Sequence, residues 1–240
     1  MMHHSATYNE HDKKFTHNLI EFPKLTRSSS NGQRYYNTPA GKSYPSVTTI
    51  TSQLNKQAII NWRNKVGDEQ ANKISTQASR HGTKVHDILE NYLSNNLSPD
   101  VYKDNPVAYD NFLKIKQKVD QHINNVYAIE ATMYSDSLML AGTVDLIAEY
   151  KGKLSIIDWK TAKKPKKPEW IKNYFVQAAA YKTMFEQHTP YKIEQLVIII
   201  AVQDHGPQIF KIDNPYHIQS LDSTLISLRD NFFDKNNIVI

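Results

Sequence analysis

One α/β domain is the fold class that the sequence predicts, on three observations. Residues 141–161 hold two apolar, β-prone segments, 143–148 and 154–159, joined through Tyr150-Lys151-Gly152-Lys153, which is the pattern of a β-hairpin. Residues 196–202 form an unbroken apolar run of strand length, as in a strand buried on both faces. Stretches with apolar residues every three or four positions lie before and after these strands and read as amphipathic helices.

Taken in order, residues 1–33 are polar, irregular and end in Ser28-Ser29-Ser30-Asn31-Gly32, so they predict a flexible N-terminal arm with at most a short ordered piece at 19–25. His3 and His4, at the very start, read as solvated rather than metal-binding. The single domain is expected to occupy residues 34–240. Arg34-Tyr35-Tyr36 and Lys42-Ser43-Tyr44 flank the turn sequence Thr38-Pro39-Ala40-Gly41 and predict a short hairpin. Ser46 then stands where a helix beginning at Val47 needs an N-cap, and the same hydroxyl is equally placed to contact a phosphate.

Residues 77–93 predict a helix with Val85, Ile88, Leu89, Tyr92 and Leu93 on one stripe and with His86 and Glu90 on its shoulder. A second helix is expected over 106–123, using Ala108, Phe112, Ile115, Val119 and Ile123. Residues 127–134 alternate as a half-buried strand does and should pair with the hairpin that follows. Beyond the hairpin, Lys163, Lys164, Lys166 and Lys167 sit among two prolines, which exclude regular structure and concentrate positive charge. A helix over 169–186 carries Gln177 and Tyr181 one turn apart, the strand 196–202 follows, then an edge strand over 208–212 and a last helix over 216–233.

Composition narrows the chemistry. With 29 Lys and Arg against 24 Asp and Glu the formal charge is +5, which favours an anionic partner without identifying it. The absence of cysteine excludes disulfides, zinc–thiolate sites, iron–sulfur clusters and thiol nucleophiles. No apolar run approaches the roughly 18 residues of a membrane-spanning helix. The N-terminus shows neither a signal-peptide core nor an Arg-rich, acid-free transit peptide, so a cytoplasmic location is expected, in a bacterial or phage-infected cell rather than a mitochondrial matrix.

The polar residues of the hairpin carry the functional signal. Asp145 interrupts its first strand, and Asp158 and Lys160 close the second, two apart and so on one face. If Asp145 lies across the hairpin on that face, two carboxylates and one ammonium converge, and the carboxylates call for a cation with a preference for oxygen, most simply Mg²⁺ or Mn²⁺. A D-x-K triplet recurs at Asp12-Lys13-Lys14, but without a strand of its own leading to it and an upstream strand carboxylate. Hydrolysis of a phosphodiester suits such a site: the cation acts on the phosphate and on water, and Lys160 orients or deprotonates that water. Next to it, the lysines of 163–167 would contact a nucleic-acid backbone.

Gly142-Thr143-Val144-Asp145, Ile156-Ile157-Asp158-Trp159-Lys160-Thr161 and Gln177-Ala178-Ala179-Ala180-Tyr181 resemble the GxxD, (D/E)xK and QxxxY motifs of the PD-(D/E)XK nuclease superfamily, RecB-like branch. His81-Gly82-Thr83-Lys84-Val85-His86 is similar to that branch's upstream histidine motif. Residues 34–48 further resemble the family of mitochondrial genome maintenance exonucleases and their phage relatives. Val144 departs from the Pro of the superfamily name. The resemblance implies a core with a central mixed β-sheet flanked by helices, and Asp145, Asp158 and Lys160 as catalytic residues. It also implies Asp145, Asp158 and the Trp159 backbone carbonyl as metal ligands, His86 as a metal ligand or active-site neighbour, and Gln177 and Tyr181 as active-site support; Glu90, to which the resemblance gives no role, is read as a further support. Ser46, Thr48, Thr161 and the four loop lysines would contact DNA.

The function expected is a Mg²⁺- or Mn²⁺-dependent exonuclease acting on single-stranded DNA or DNA ends, with no membrane partner. A structure-specific endonuclease on the same fold and a catalytically silent nucleic-acid-binding module are the alternatives.

Overall fold

The structure, a computed structural model of the 240-residue chain, describes residues 13–98 and 100–238. Two sheets form its framework. A three-stranded antiparallel sheet runs β1 (Thr26–Ser30), β2 (Gln33–Asn37), β3 (Ser43–Pro45). The central sheet has the order β4 (Ile123–Ser135), β5 (Leu140–Tyr150), β6 (Lys153–Ala162), β7 (Gln195–Val202), β8 (Gln208–Ile212). It is mixed: β6 and β7 are parallel and all other neighbours antiparallel. Lys151 and Gly152, at φ 53° and 77°, make the tight β5–β6 turn, and both values lie in the left-handed region that glycine enters at no steric cost.

Helices cover both faces. α3 (Asp68–Leu93) and α5 (Pro106–His122) bury Val85, Leu89, Phe112 and Ile115 against Leu146, Ile157, Trp159, Val197 and Ile199. α6 (Lys172–His188) and α7 (Pro215–Lys235) bury Val176, Met184, Leu221 and Leu225 against Ile147, Ile156, Ile198 and Ile200 on the other side. β7 therefore alternates between two cores and is wholly buried, as its continuous apolar run predicts. Burying each of its Val and Ile side chains contributes roughly 1.5–3 kcal/mol. α1 (Val47–Thr51), α2 (Lys56–Val66) and the short α4 (Val101–Asp104) complete the set.

The feature that positions the site is a fork. Pairing of β5 with β6 stops at Leu146↔Ile157, although β5 begins six residues earlier and β6 runs on to Ala162. Past that point β5 stays with β4, and β6 stays with β7 as far as Ala162↔Val202. At the same level the β4–β5 pair changes face. Ile129 and Leu146 join the core under α3 and α5, whereas Ala131 and Val144 join the core under α6. Residues two apart on a regular strand share a face, so the ribbon rotates between them, at Glu130 and Asp145.

Three expectations are revised. The first concerns the arm. Residues 1–12, with His3, His4 and Asp12, lie outside the described residues. Residues 13–33, however, are packed: Phe15 is buried edge-on to Tyr92 with ring centroids 5.3 Å apart, Asn18 donates to the Val126 carbonyl, and β1 pairs with β2 along its length. Backbone pairing holds this polar segment, and hydrophobic patterning does not register it. Second, α3 begins at Asp68 rather than near 77, because residues 72–80 are largely exposed and leave no apolar stripe. Third, the helix expected from 169 begins at Lys172, after a 3₁₀ turn over Pro168–Trp170.

Candidate active site

At the fork, β5 and β6 lose each other as backbone partners, and side chains take over. The Trp159 N–H donates to Asp145 Oδ2 at 2.9 Å, and the Trp159 carbonyl lies 3.2 Å from His86 Nε2 on α3. The other ring nitrogen, His86 Nδ1, lies 3.4 Å from Glu130 Oε1 and 3.6 Å from Asp145 Oδ1. The pairs Ile129↔Leu146 and Ala131↔Val144 flank Glu130 and Asp145, and Glu130 adopts a φ of 44°, uncommon for a residue other than glycine.

Asp158 lies just below, 2 % exposed. Its Oδ1 accepts from Gln177 Nε2 at 2.9 Å, and its Oδ2 lies 2.5 Å from Lys160 Nζ. That ammonium also stands 5.1 Å from the centre of the Tyr174 ring. Gln177 and Tyr181 face the site from α6, one turn apart. Tyr181 packs so closely on β5 that a Cβ at position 142 would lie 2.7 Å from its hydroxyl and 2.8 Å from Cε1, which is why the approach needs Gly142.

Electrostatics follow from burial of mixed charges. Burial raises the pKa of Asp145, a rise that His86 and Lys160 oppose. It pushes Asp158 up to about 6, with Lys160 as the largest opposing influence. Burial alone would favour neutral Lys160 and neutral His86. The carboxylates reverse that for both: Asp158 and Asp145 raise Lys160, and Asp145 and Glu130 raise His86 to about 9. Near neutral pH, Lys160 is therefore an ammonium and His86 an imidazolium, their charges set against three carboxyl groups.

The donor set fits a divalent cation. Ligand atoms of His86, Glu130 and Asp145 lie within 4.8 Å of one another, and buried Asp158 Oδ2 forms an ion pair with Lys160 but receives no well-directed hydrogen bond. Carboxylate oxygens with one imidazole are ligands for Mn²⁺ or Mg²⁺ rather than for a thiolate-seeking metal.

Of the residues singled out from sequence, Thr48, His86, Asp145, Lys160, Gln177 and Tyr181 line one cavity of about 350 Å³, and Asp158 and the Trp159 carbonyl lie behind that lining, in contact with Lys160 and His86. Glu90 is exposed one turn beyond His86, off this cavity, and the carboxylate beside the imidazole is Glu130 instead. Ser46 is 1 % exposed and its hydroxyl is committed to the cap: it accepts from the Thr49 N–H at 3.0 Å and bonds the Thr48 and Thr49 hydroxyls, so it has no face for DNA. Thr161 and Lys163 line a neighbouring cleft. Lys164, Lys166 and Lys167 line neither; the Lys166 main chain is tied to the Gln208 side chain, and Lys167 stacks on Trp170.

Four lining residues escape sequence reasoning: Glu130, Arg27, Arg34 and Tyr36. Pairs Arg27↔Tyr36 and Ser29↔Arg34 put both guanidiniums and the tyrosine on one face of β1–β2. The Tyr36 hydroxyl is fixed by Thr143 at 3.1 Å, and neither arginine has an ion-pair partner among the described residues. A charged residue in the strand next to an Asp-bearing hairpin was the one available signal for Glu130. None existed for Arg27.

The chain is similar to several known proteins. The chain is 27% identical over 176 residues to mitochondrial genome maintenance exonuclease 1 of Homo sapiens, covering 68% of this chain and 50% of that protein. The Xenopus tropicalis protein of the same name is 30% identical over 182 residues, covering 70% and 51%. This chain thus spans about half the length of the curated relatives it matches. Their name places those proteins in mitochondria, at odds with the bacterial or phage setting expected from the sequence. A crystal structure from Eubacterium rectale aligns at a TM-score of 0.45 and 16% identity over 67% of this chain and 69% of that one. The model of the PD-(D/E)XK nuclease superfamily matches residues 107–232, which include Glu130, Asp145, Asp158, Lys160, Gln177 and Tyr181. Running through both arms of the fork and over more than half of its length, that match makes this chain a member of the PD-(D/E)XK nuclease superfamily.

Proposed function

We propose that this chain is a Mg²⁺- or Mn²⁺-dependent deoxyribonuclease that hydrolyses phosphodiester bonds from the ends of single-stranded DNA, in replication, recombination or repair. One observation carries the reading: Glu130, Asp145 and Asp158 converge at the fork beside Lys160, which Asp158 holds at 2.5 Å. The exonuclease names of the curated relatives support action from an end.

His86, Glu130 and Asp145 would hold the cation, with Asp158 and the Trp159 carbonyl beside them, and the cation would polarise the scissile phosphate and acidify water. The chain's own residues do the rest. Lys160, whose pKa Asp158 and Asp145 raise, would donate to a phosphate oxygen or orient the attacking water. Gln177 fixes Asp158, and so fixes Lys160 through it. Arg27 and Arg34 face the same cavity, with no carboxylate paired to either among the described residues, and would grip the phosphates that flank the scissile one.

The test is cleavage of an end-labelled single strand and of a circular one with Mg²⁺ or Mn²⁺. Stepwise loss of nucleotides from the linear strand, an intact circle, and no product from Asp145→Ala, Asp158→Ala or Lys160→Ala are expected. Cutting of the circle would replace the exonuclease by an endonuclease. Tight DNA binding without metal-dependent turnover would leave a binding module.

A further inference from the structure

A second cleft, about 510 Å³, opens where the parallel strands β6 and β7 end, on the α3–α5 side of the sheet. Ile74, Gln77, Ala78 and His81 recur at i, i+3, i+4 and i+7, so one face of α3 forms a wall of it. Pro106 and Val107 of α5 face them, and Val107 is left 65 % exposed. At the base lies a built polar group. Asn111, 6 % exposed, donates through Nδ2 to His81 Nε2 at 2.6 Å, while its Oδ1 has no hydrogen-bond partner among the described residues. That bond makes His81 Nε2 the acceptor and leaves the ring neutral, in line with the burial that lowers its pKa. Gln77 and Gln203 add two further carboxamides, and Lys163 stands at the rim.

We propose that this cleft receives one unstacked nucleobase of the DNA strand engaged at the catalytic fork, a proposal that rests on the nuclease reading above. Three features select that occupant. Apolar walls accept a flat ring, and side-chain carboxamides match the paired donors and acceptors along a base edge; an aliphatic guest would leave Asn111, Gln77 and Gln203 unpaired. Asp204 lies on the lining and disfavours an anion inside, Asp110 beside it being paired with Lys114 at 3.0 Å, whereas Lys163 at the rim suits a phosphate outside. The cleft is also adjacent to the site along two elements: Thr161 and Lys163 on its wall follow Lys160 on β6 and the loop after it, and α3 carries both His81 and His86, about 7.5 Å apart along its axis. A strand held by its phosphates at the fork therefore has a base within reach of it.

The experiment uses single strands that carry one abasic nucleotide, or one 2-aminopurine, moved stepwise from the end, with the wild type and with Ala78→Phe, which fills the cleft from an exposed helix position. Val107→Glu, at a side chain that packs little, is the second variant in case the first disturbs α3. In the wild type an abasic nucleotide at one position raises KM about tenfold and leaves kcat unchanged, the scale expected for burying one flat apolar surface. In either variant KM is raised for the intact strand and the positional effect disappears. Cleavage with no positional effect in the wild type overturns the proposal and leaves the nuclease intact. If no strand is cut, the nuclease reading has failed, and 2-aminopurine fluorescence on binding in Ca²⁺ still decides: a change confined to one position and abolished by Ala78→Phe upholds the cleft, and a uniform response overturns it.

Discussion

Glu130 on β4 and Asp145 on β5 fall between the flanking pairs Ile129↔Leu146 and Ala131↔Val144 of an antiparallel ladder, and Glu130 does so from a left-handed backbone conformation with φ 44°. Opposed like charges destabilise a ladder, and a strained φ at a non-glycine residue costs on the order of 1–3 kcal/mol. Both costs fall at the point where the two arms of the sheet separate, and a cation between the carboxylates would offset the first of them.

Glu130→Gln therefore weakens Mn²⁺ binding and lowers cleavage at limiting metal, by roughly 10- to 100-fold if Glu130 is a ligand or orients one. Calorimetric titration with Mn²⁺ measures it. Unchanged affinity would remove Glu130 from the site. Glu90→Gln, at an exposed position off the cavity, leaves both quantities at wild-type values.

The imidazole predicts a pH dependence whose sign is fixed. His86 is raised from 6.5 to about 9 in the folded chain, so above pH 6.5 the folded state keeps a proton that the unfolded state releases. The stabilisation is complete below pH 6.5 and is lost as pH rises through about 9. In chelator, Tm should fall across that window, and His86→Gln should flatten the fall. Because a protonated imidazole does not ligate a metal, Mn²⁺ affinity should rise over the same interval with release of a proton.

Gly142→Ala places a methyl group 2.7 Å from the Tyr181 hydroxyl and 2.8 Å from its ring, so that Tyr181 or β5 must shift. Overpacking of this kind costs about 1–3 kcal/mol. Denaturant unfolding should show that loss. Activity should fall further than stability alone explains, since Tyr181 shares α6 with Gln177, which holds Asp158.

Arg27→Gln and Arg34→Gln test the grip on the strand. Removing one guanidinium from a phosphate should reduce the slope of log affinity against log salt by about 0.7 for a single strand and weaken all sequences alike. The metal titration should not change. A wild-type salt slope in both variants would assign these arginines to the surface alone.

Much of the cluster at the fork was legible in the chain. Asp145, Asp158 and Lys160 declared themselves because each places a charge inside a segment whose neighbours are apolar and β-prone, and Gln177 and Tyr181 because they share one face of an apolar helix. Glu130 was hidden: in an alternating strand an acidic residue reads as the solvent face, and only the rotation of the β4–β5 ribbon at the fork turns it inward. Glu90 misled for the complementary reason. Four residues after His86, it is displaced by about 6 Å along the helix, beyond the reach of the site.

By itself the sequence determined the order of the central strands and of the long helices that flank them, the buried β7 and the charged hairpin, since those follow from local periodicity and from the cost of burying charge. Tertiary structure alone decided where β5 and β6 part, and that a polar serine-rich segment becomes β1 and carries Arg27 to the cavity. These depend on long-range backbone pairing, in which residues distant in the chain satisfy one another's hydrogen bonds, and such pairing leaves no periodic mark on the sequence.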